Sequence, residues 1–258
     1  MRKFVMDLTI VENVSLNANY FLLKLTSDQK LPEMLPGQFV EIKVEKSTTT
    51  FLRRPISINY ICQETNQLWL LIQIIGDGTR ALSALKQGDT LDVMLPLGNS
   101  FTMPENASKS VLLVGGGVGT APMLFWGKML KENGIKPNFL IGARSANDLL
   151  QIDEFARYGN VYTTTEDGTA GEKGYVTQHS ILQKKSFDFI YTCGPKPMMV
   201  AVASYAKSRK IVCEVSLENS MACGFGVCLC CVENTVKGNV CVCTEGPVFN
   251  ISELKWQI

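Results

Sequence analysis

The segment Val111-Leu-Leu-Val-Gly-Gly-Gly-Val-Gly-Thr-Ala-Pro-Met123 indicates the fold of the second half of the chain. Its four apolar residues predict a short strand, and the glycines predict a tight turn into a helix capped by Thr120, with Pro122 in the first turn. The N–H groups and dipole at a helix N-terminus suit a pyrophosphate. Many glycine turns only pack a helix on a strand, but the position after a strand favours nucleotide binding. The predicted contacts are Gly115, Gly116, Gly117, Gly119 and Thr120.

Strand and helix patterns alternate from residue 109 onward. The predicted strands are 111–114, 138–142, 161–164, 188–193 and 211–216, and the predicted helices are about 120–132, 148–158, 177–182 and 197–208. This alternation implies a doubly wound parallel α/β sheet. Such sheets bind ligands at the carboxyl ends of their strands, so Cys193 and Gly194 are predicted to lie near the nucleotide. A buried strand-end cysteine without a ligand is an equal alternative for Cys193. Glu166 and Asp167 are either turn residues or ribose contacts, and the interpretation as turn residues is favoured.

The first hundred residues contain short strand patterns separated by turns. The predicted strands are 4–14, 20–26, 38–44, 55–61, 68–75 and 90–95, with a short helix at 80–85. Many short strands at this spacing favour an antiparallel Greek-key β-barrel. We therefore predict three parts, namely a barrel over 1–101, an α/β domain over 102–217 and a cysteine-rich subdomain over 218–258, in which residues 235–240 form a hairpin.

The cysteine-rich subdomain holds most of the nine cysteines. Cys223, Cys228 and Cys231 have the spacing C-x4-C-x2-C, and Cys243 follows after eleven residues, which is the plant-type ferredoxin arrangement for a 2Fe-2S cluster. Glycines at 224 and 226 would let the loop curl so that amides face the sulfides. These four cysteines are the predicted ligands. A structural zinc site is the alternative, although zinc knuckles usually have two C-x2-C pairs.

The remaining cysteines and the single histidine have simpler interpretations. Cys230 and Cys241 each lie within two residues of a chosen ligand, so a register error is an alternative; otherwise both are small buried side chains. Cys213 lies on a predicted strand and is expected in the core. His179 is interpreted as a surface or packing residue, and one histidine excludes Cys2His2 zinc and Rieske ligation.

The overall composition is that of a globular protein. Of the 258 residues, 46% are hydrophobic and 19% charged, and the net charge of +1 implies no nucleic-acid partner. No apolar run approaches the roughly 18 residues of a membrane span, and the N-terminus does not resemble a signal sequence. We expect a cytoplasmic protein without a membrane partner.

Two further motifs complete a family resemblance. Arg53-Arg54-Pro55-Ile56-Ser57 stands at a strand entrance, and Gly76-Asp77-Gly78-Thr79 precedes the short helix. With the glycine turn and the C-G-P strand end, in the same order and over nearly the whole chain, they resemble the ferredoxin reductase superfamily. The tail, which ends in C-T-E-G-P-V-F, makes the chain similar to the electron-transfer subunits of class 1B dihydroorotate dehydrogenases.

The resemblance implies FAD, a 2Fe-2S cluster and NAD as cofactors. It implies that Arg54 meets the FAD pyrophosphate, that Ser57 lies near the flavin ring, and that Gly78 and Thr79 offer amides to the phosphates. Arg53 can exchange roles with Arg54, and Pro55 stands where many relatives have an aromatic residue. The implied FAD contacts are Arg54, Pro55, Ile56, Ser57, Leu71, Ile72, Gln73, Gly78 and Thr79.

The resemblance also implies a partner, because the chain is too short to hold a catalytic barrel of its own. A separate FMN-containing subunit would oxidise dihydroorotate and pass electrons through the cluster and FAD to NAD+, in a heterotetramer of two catalytic and two electron-transfer subunits. Phe225, Val227 and Leu229 are predicted to form an exposed docking surface. The sequence shows no His, Ser or paired-carboxylate constellation, and no catalytic residue is predicted.

Two rival functions remain open. A reductase subunit for sulfite reductase, hydrogenase or ferredoxin would share these modules and differ only in its partner. A zinc-stabilised nucleotide-binding regulator would be colourless and free of flavin.

Overall fold

The computed structural model describes residues 2–45, 47–106 and 109–258. Its N-terminal part is a seven-stranded antiparallel sheet in the order β4-β3-β7-β1-β2-β6-β5. The strands are β1 (Phe4–Ser15), β2 (Tyr20–Thr26), β3 (Phe39–Ile42), β4 (Arg54–Ser57), β5 (Tyr60–Cys62), β6 (Gln67–Gln73) and β7 (Thr90–Leu97). The helix α1 (Asp77–Ser83) lies between β6 and β7.

The sheet curls into an antiparallel half-barrel, in agreement with the antiparallel barrel that the sequence predicts. Its two ends approach each other at residues 58 and 59, where Ile58 donates its N–H to Gln38 and Asn59 donates its N–H to Trp69. The predicted strand at 55–61 is therefore two strands, because its middle residues bond to opposite ends of the sheet. Leu8, Leu23 and other apolar side chains fill the enclosed core.

The second sheet has the order β11-β10-β9-β8-β12-β13-β16. Its first six strands in this order pair in parallel, and β16 pairs antiparallel with β13. The strands are β8 (Val111–Gly116), β9 (Asn138–Ala143), β10 (Asn160–Thr165), β11 (Glu172–Lys173), β12 (Phe189–Cys193), β13 (Val212–Ser216) and β16 (Val248–Asn250). The helices are α2 (Ala121–Glu132), α3 (Ile152–Ala156), α4 (Ile181–Lys184) and α5 (Lys196–Ser208). The predicted doubly wound sheet is confirmed.

The helix predicted at 148–158 is shorter in the structure. Only Ile152–Ala156 is α-helical, after a 3-10 turn at Ala146–Asp148. Gln151 has a left-handed backbone with φ of 54°, which separates the two segments. Its side-chain amide pairs reciprocally with that of the buried Asn59, and these bonds tie the half-barrel to the α/β domain.

The cysteine-rich tail contains more regular structure than its sequence indicates. The predicted hairpin is present as β14 (Val232–Thr235) and β15 (Gly238–Cys241). A short helix, α6 (Val242–Glu245), follows directly, and β16 then returns to the sheet of the α/β domain. None of the helices in the described ranges has the length and apolar character to cross a bilayer.

The strand order reverses between β8 and β12, which are neighbours in the sheet although three other strands separate them in the chain. Gly115 lies opposite Cys193 in this pair. The turns that follow the two strands press together, since a Cβ on Gly119 would lie 2.4 Å from Cα and 2.5 Å from N of Gly194. This is the carboxyl-edge crevice in which open α/β sheets bind ligands.

We predict that Gly119→Ala destabilises the protein by about 3 kcal/mol or more, at the upper end for overpacking. The added methyl group meets backbone atoms of Gly194 that cannot rotate away. Denaturant unfolding measures the effect, with Gly76→Ala as the control, because a Cβ there meets nothing within 4 Å. Equal stability of the two variants would contradict the tight contact.

Candidate functional site

The two adjacent arginines at the start of β4, Arg53 just before the strand and Arg54 as its first residue, have different surroundings. Arg53 donates from Nη1 to the backbone oxygen of Asp92 at 3.1 Å and from Nη2 to its carboxylate at 2.9 Å. It thereby ties β4 to β7 across β3. Arg54 donates from Nε to the Arg53 carbonyl, and its Cδ lies 3.2 Å from where a Cβ of Gly78 would be. Arg54 is thus the arginine that lies at the start of α1.

The turn before α1 is closed by Thr79. Its hydroxyl oxygen accepts the N–H groups of Ile75 at 2.9 Å and Gly76 at 3.2 Å, and it donates to the Gly76 carbonyl. The hydroxyl is therefore engaged within the turn, which leaves the backbone amides of Gly78 and Thr79 as the phosphate donors that the resemblance implies. A Cβ on Gly78 would lie 3.1 Å from Thr50, so glycine allows this close approach.

The other predicted FAD contacts lie on β4 and β6. The β4 residues Pro55, Ile56 and Ser57 are partly exposed on a strand at the end of the sheet. In β6, Leu71 and Ile72 are buried in the core, so their side chains are not open to a cofactor. Gln73 is half-buried and lies past the end of β5, which pairs only as far as Trp69.

The carboxyl-edge crevice brings together the remaining predicted nucleotide contacts. Gly115 and Gly116 end β8, and Gly117, Gly119 and Thr120 follow it, while Cys193 ends β12 and Gly194 follows it. A Cβ on Gly116 would lie 2.5 Å from the sulfur of Met198, and Gly117 has a φ of +56°, so these glycines also serve close packing. Of the five predicted contacts in the turn after β8, Gly117 is half-buried and the other four are buried, so the crevice is closely packed.

Cys193 is a buried thiol rather than an exposed nucleophile. Its Sγ donates to the Glu218 carboxylate at 3.8 Å. Burial raises the pKa of the Cys193 thiol, and burial likewise raises the pKa of Glu218. Glu218 was not singled out from the sequence, and only its position just after β13 could have suggested it.

Glu166, Asp167 and His179 have structural roles. Asp167 accepts the N–H and hydroxyl of Thr169, and these bonds lower the pKa of Asp167; Glu166 donates its N–H to Ala143. The interpretation of both as turn residues agrees with these bonds. His179 is buried, its Nδ1 accepts the N–H of Ile181, and its Nε2 lies 3.5 Å from Glu172.

The cysteine loop curls as predicted through two left-handed glycines. Gly224 has a φ of 75° and Gly226 a φ of 85°. Burial would raise the pKa of Cys223, but backbone N–H groups of Phe225, Cys228 and Val227 donate to its sulfur and lower the pKa to about 6. Amides aimed at a cysteine sulfur in this way favour the thiolate that binds metal.

The fourth predicted ligand joins the loop from α6. The sulfur of Cys243 accepts the N–H of Gly226 at 3.1 Å, and the Cys243 N–H donates to the sulfur of Cys231 at 3.4 Å. No three Cys, His, Asp or Glu side chains in the described ranges converge on a single-ion position. A cluster of two irons and two sulfides is larger than one ion, and soft thiolates with N–H donors suit it. The residues present therefore fit an iron–sulfur cluster.

The other cysteines differ in burial. Cys213 is buried in the core, as predicted. Cys230 is exposed, so the interpretation of it as a buried side chain is wrong, because it lies on the outer side of the loop. Cys241 is half-buried, with its Sγ 3.9 Å from the carbonyl of Gly226, and so remains beside the cluster loop.

Two polar residues that the sequence does not single out lie beside the loop. Asn99 donates from Nδ2 to the carbonyls of Thr244 at 3.1 Å and Glu245 at 2.9 Å, so it fastens the end of α6 to the half-barrel. Glu41 of β3 has no exposed surface. Burial and Cys223 raise the pKa of its carboxyl to about 7, although Arg53 and Arg54 act to lower it. In the sequence, the only sign that Glu41 is unusual is that it is a single acidic residue within an apolar strand.

Three domain families match successive parts of the chain. An oxidoreductase FAD-binding domain matches residues 5–101, and an oxidoreductase NAD-binding domain matches residues 113–204. The iron-sulfur cluster binding domain of dihydroorotate dehydrogenase B matches residues 218–255. The predicted kinds of cofactor are thereby confirmed.

Full-length relatives give the same result. The electron transfer subunit of dihydroorotate dehydrogenase B (NAD(+)) from Shouchella clausii is 37% identical over 98% of this chain and 99% of its own. Its counterpart from Listeria monocytogenes is 39% identical over 96% and 98%. The chain belongs to this family of electron transfer subunits.

Membership confirms the predicted class, an oxidoreductase subunit of NAD-dependent dihydroorotate dehydrogenase B, and implies a catalytic partner subunit. A solved structure of an NADH-dependent reduced ferredoxin-NADP oxidoreductase, studied for flavin-based electron bifurcation, is also similar. It is 32% identical, covers 96% of this chain and 90% of its own, and has a TM-score of 0.87.

For the family's iron–sulfur domain, we predict that Cys231→Ser abolishes cluster binding and that Cys230→Ser leaves it intact. Cys231 is buried against Cys243, whereas Cys230 is exposed, and a serine oxygen is a poor substitute for a soft thiolate. Iron and sulfide are measured after anaerobic purification, with bound FAD as the check on folding. The opposite pattern would mean that Cys230, and not Cys231, is the ligand.

Proposed function

We propose that this chain carries electrons from an FMN-containing subunit that oxidises dihydroorotate, through a 2Fe-2S cluster and FAD, to NAD+. The observation that carries the proposal is that the cysteine loop packs against the half-barrel. A Cβ on Gly224 would touch Leu97 and Glu41 of the half-barrel at 2.9 and 3.2 Å, next to the strand that bears Arg54 and Ser57. The cysteine loop and β4, the strand proposed to bind FAD, are thus both in contact with β3.

When bound, FAD supplies the conversion between two-electron exchange with NAD and one-electron exchange with a cluster. The protein's own part is to position these groups. We infer that Arg54 and the amides of Gly78 and Thr79 hold the FAD phosphates, with further contacts from Pro55, Ile56, Ser57, Leu71, Ile72 and Gln73. We infer that the glycines of the carboxyl-edge crevice, with Thr120, Cys193 and Gly194, receive the nicotinamide nucleotide.

We infer that Cys223, Cys228, Cys231 and Cys243 hold the cluster, and that the outer side of their loop meets the catalytic subunit. Phe225, Val227 and Leu229 are 45%, 72% and 65% exposed. Apolar side chains grouped on one loop are typical of a protein contact. An arrangement of two catalytic and two electron-transfer subunits would place this loop at each interface between unlike subunits.

The cellular setting proposed is the cytoplasm. All nine cysteines are free thiols. A reducing compartment keeps thiols available for a cluster, whereas secreted proteins of this size more often pair them.

A second candidate function is reduction of a ferredoxin-type acceptor by a pyridine nucleotide. The similarity to the NADH-dependent reduced ferredoxin-NADP oxidoreductase favours it. The two functions differ in the partner subunit rather than in the cofactor sites of this chain.

We predict that the native complex, purified anaerobically, forms NADH when given dihydroorotate and NAD+. Reversed electron flow is the check on the cofactors, because NADH should bleach both the flavin and the iron–sulfur absorption bands of the isolated chain. If the complex contains FMN and forms no NADH, the dihydroorotate assignment fails. Colourless protein without iron or flavin would sink the whole proposal.

We predict that Arg54→Ala raises the Kd for FAD roughly 10- to 150-fold, as expected for the loss of one charge-assisted bond to phosphate. Arg53→Ala is the matched control, because Arg53 is already paired with Asp92. It should lower the free energy of unfolding by about 1–2 kcal/mol and leave the Kd of the folded protein nearly unchanged. The Kd is measured from the fluorescence of FAD on its release. A larger rise in Kd for Arg53→Ala than for Arg54→Ala would mean that Arg53 is the arginine that meets the phosphates.

A further inference from the structure

Glu41 is a buried acid that the proposed cofactor contacts do not use. Its neighbours in β3 are apolar and buried, and its own exposure is 0%. Neither carboxylate oxygen has a hydrogen-bond partner among the residues that the structure describes. A carboxyl buried in this way is strongly unfavourable for stability, so its presence calls for a functional explanation.

The carboxyl lies between the two proposed redox sites. On one side, Glu41 pairs in register with Pro55 of β4, the strand proposed to contact FAD. On the other side is the cysteine loop, where a Cβ on Gly224 would lie 3.2 Å from Cγ and 3.3 Å from Oε1 of Glu41. Because Gly224 has no side chain, the carboxyl lies directly against the backbone that follows Cys223.

The charges around Glu41 leave it without a direct ion pair. Arg53 is engaged by Asp92. Arg54 extends beside Gly78 at the start of α1. Both guanidinium groups act on Glu41 through space and lower its pKa, whereas Cys223 of the loop raises it. A charge in this water-poor position acts strongly on any group within a few ångströms.

We propose that Glu41 lowers the reduction potential of the cluster held by the loop above it. The proposal rests on the function proposed for the chain. Reduction adds one electron, and hence one negative charge, to the cluster, and a carboxylate beneath the loop opposes that charge. Buried charge and the hydrogen bonds to the sulfurs are the levers by which a protein sets such a potential. A lower potential favours onward transfer of the electron to the flavin.

The test is the midpoint potential of the cluster in the holoprotein, measured by an anaerobic redox titration with electron paramagnetic resonance. All variants are measured at pH 8.5, above the pKa of about 7 of the Glu41 carboxyl, so that the wild-type side chain carries its charge. Glu41→Gln keeps the shape and removes the charge, so the potential should shift to a more positive value. Glu41→Met removes the charge with an apolar chain of similar length and should shift the potential in the same direction. Glu45→Gln is the matched control, since its side chain is 60% exposed and water screens it.

The outcomes separate cleanly. A shift in both Glu41 variants that exceeds the shift in Glu45→Gln, with iron and FAD contents unchanged, supports the proposal. Unchanged or more negative potentials in both variants overturn it. Loss of iron from both variants also overturns it, because Glu41 would then be needed to assemble the loop. Wild-type protein without iron would instead defeat the proposed function itself.

Discussion

The contact between the rim of the half-barrel and the cysteine-rich tail fixes the geometry on which electron transfer depends. Single electrons pass between groups that are held close together, so the loop of thiols must be seated on the domain that holds the flavin. Asn99 provides two side-chain bonds and one backbone bond to the segment that ends α6. Gly98 packs so closely against Pro247 that a Cβ there would lie 2.5 Å from its ring. Because α6 carries Cys243, movement at this contact would move the cluster relative to the flavin.

The tail is also joined to the nucleotide domain, so one segment connects all three sites. β16 extends the parallel sheet by pairing with β13, and Leu217 donates its N–H to Pro247 where the chain enters the tail. The half-barrel and the α/β domain meet directly as well, since Asn59 donates to the carbonyl of Ala121 at the start of α2. These contacts argue for a rigid support in which the carboxyl-edge crevice, β4 and the cysteine loop keep their spacing.

The features that the sequence predicted are those encoded by local spacing. Four cysteines at fixed intervals with glycines between them define a loop, and a strand that runs into glycines defines a turn, whatever the rest of the chain does. The features that it missed depend on distant partners. Asn99 and Thr244 are 145 residues apart. In the sequence Glu41 is an ordinary strand residue, and only the folded structure shows that the cysteine loop packs against it. The helix at 148–158 was predicted too long because Gln151 turns toward Asn59, 92 residues away.

The arginine pair shows most clearly why the sequence alone leaves roles open. Arg53 and Arg54 are chemically identical, and either one suits a phosphate. Successive side chains on a strand point to opposite faces, so the fold must send them to different places. Arg53, just before β4, is engaged by Asp92, whereas Arg54, the first residue of β4, extends toward Gly78 and the start of α1. The fold therefore turns two equivalent cations into one that ties strands together and one that is proposed to meet the cofactor.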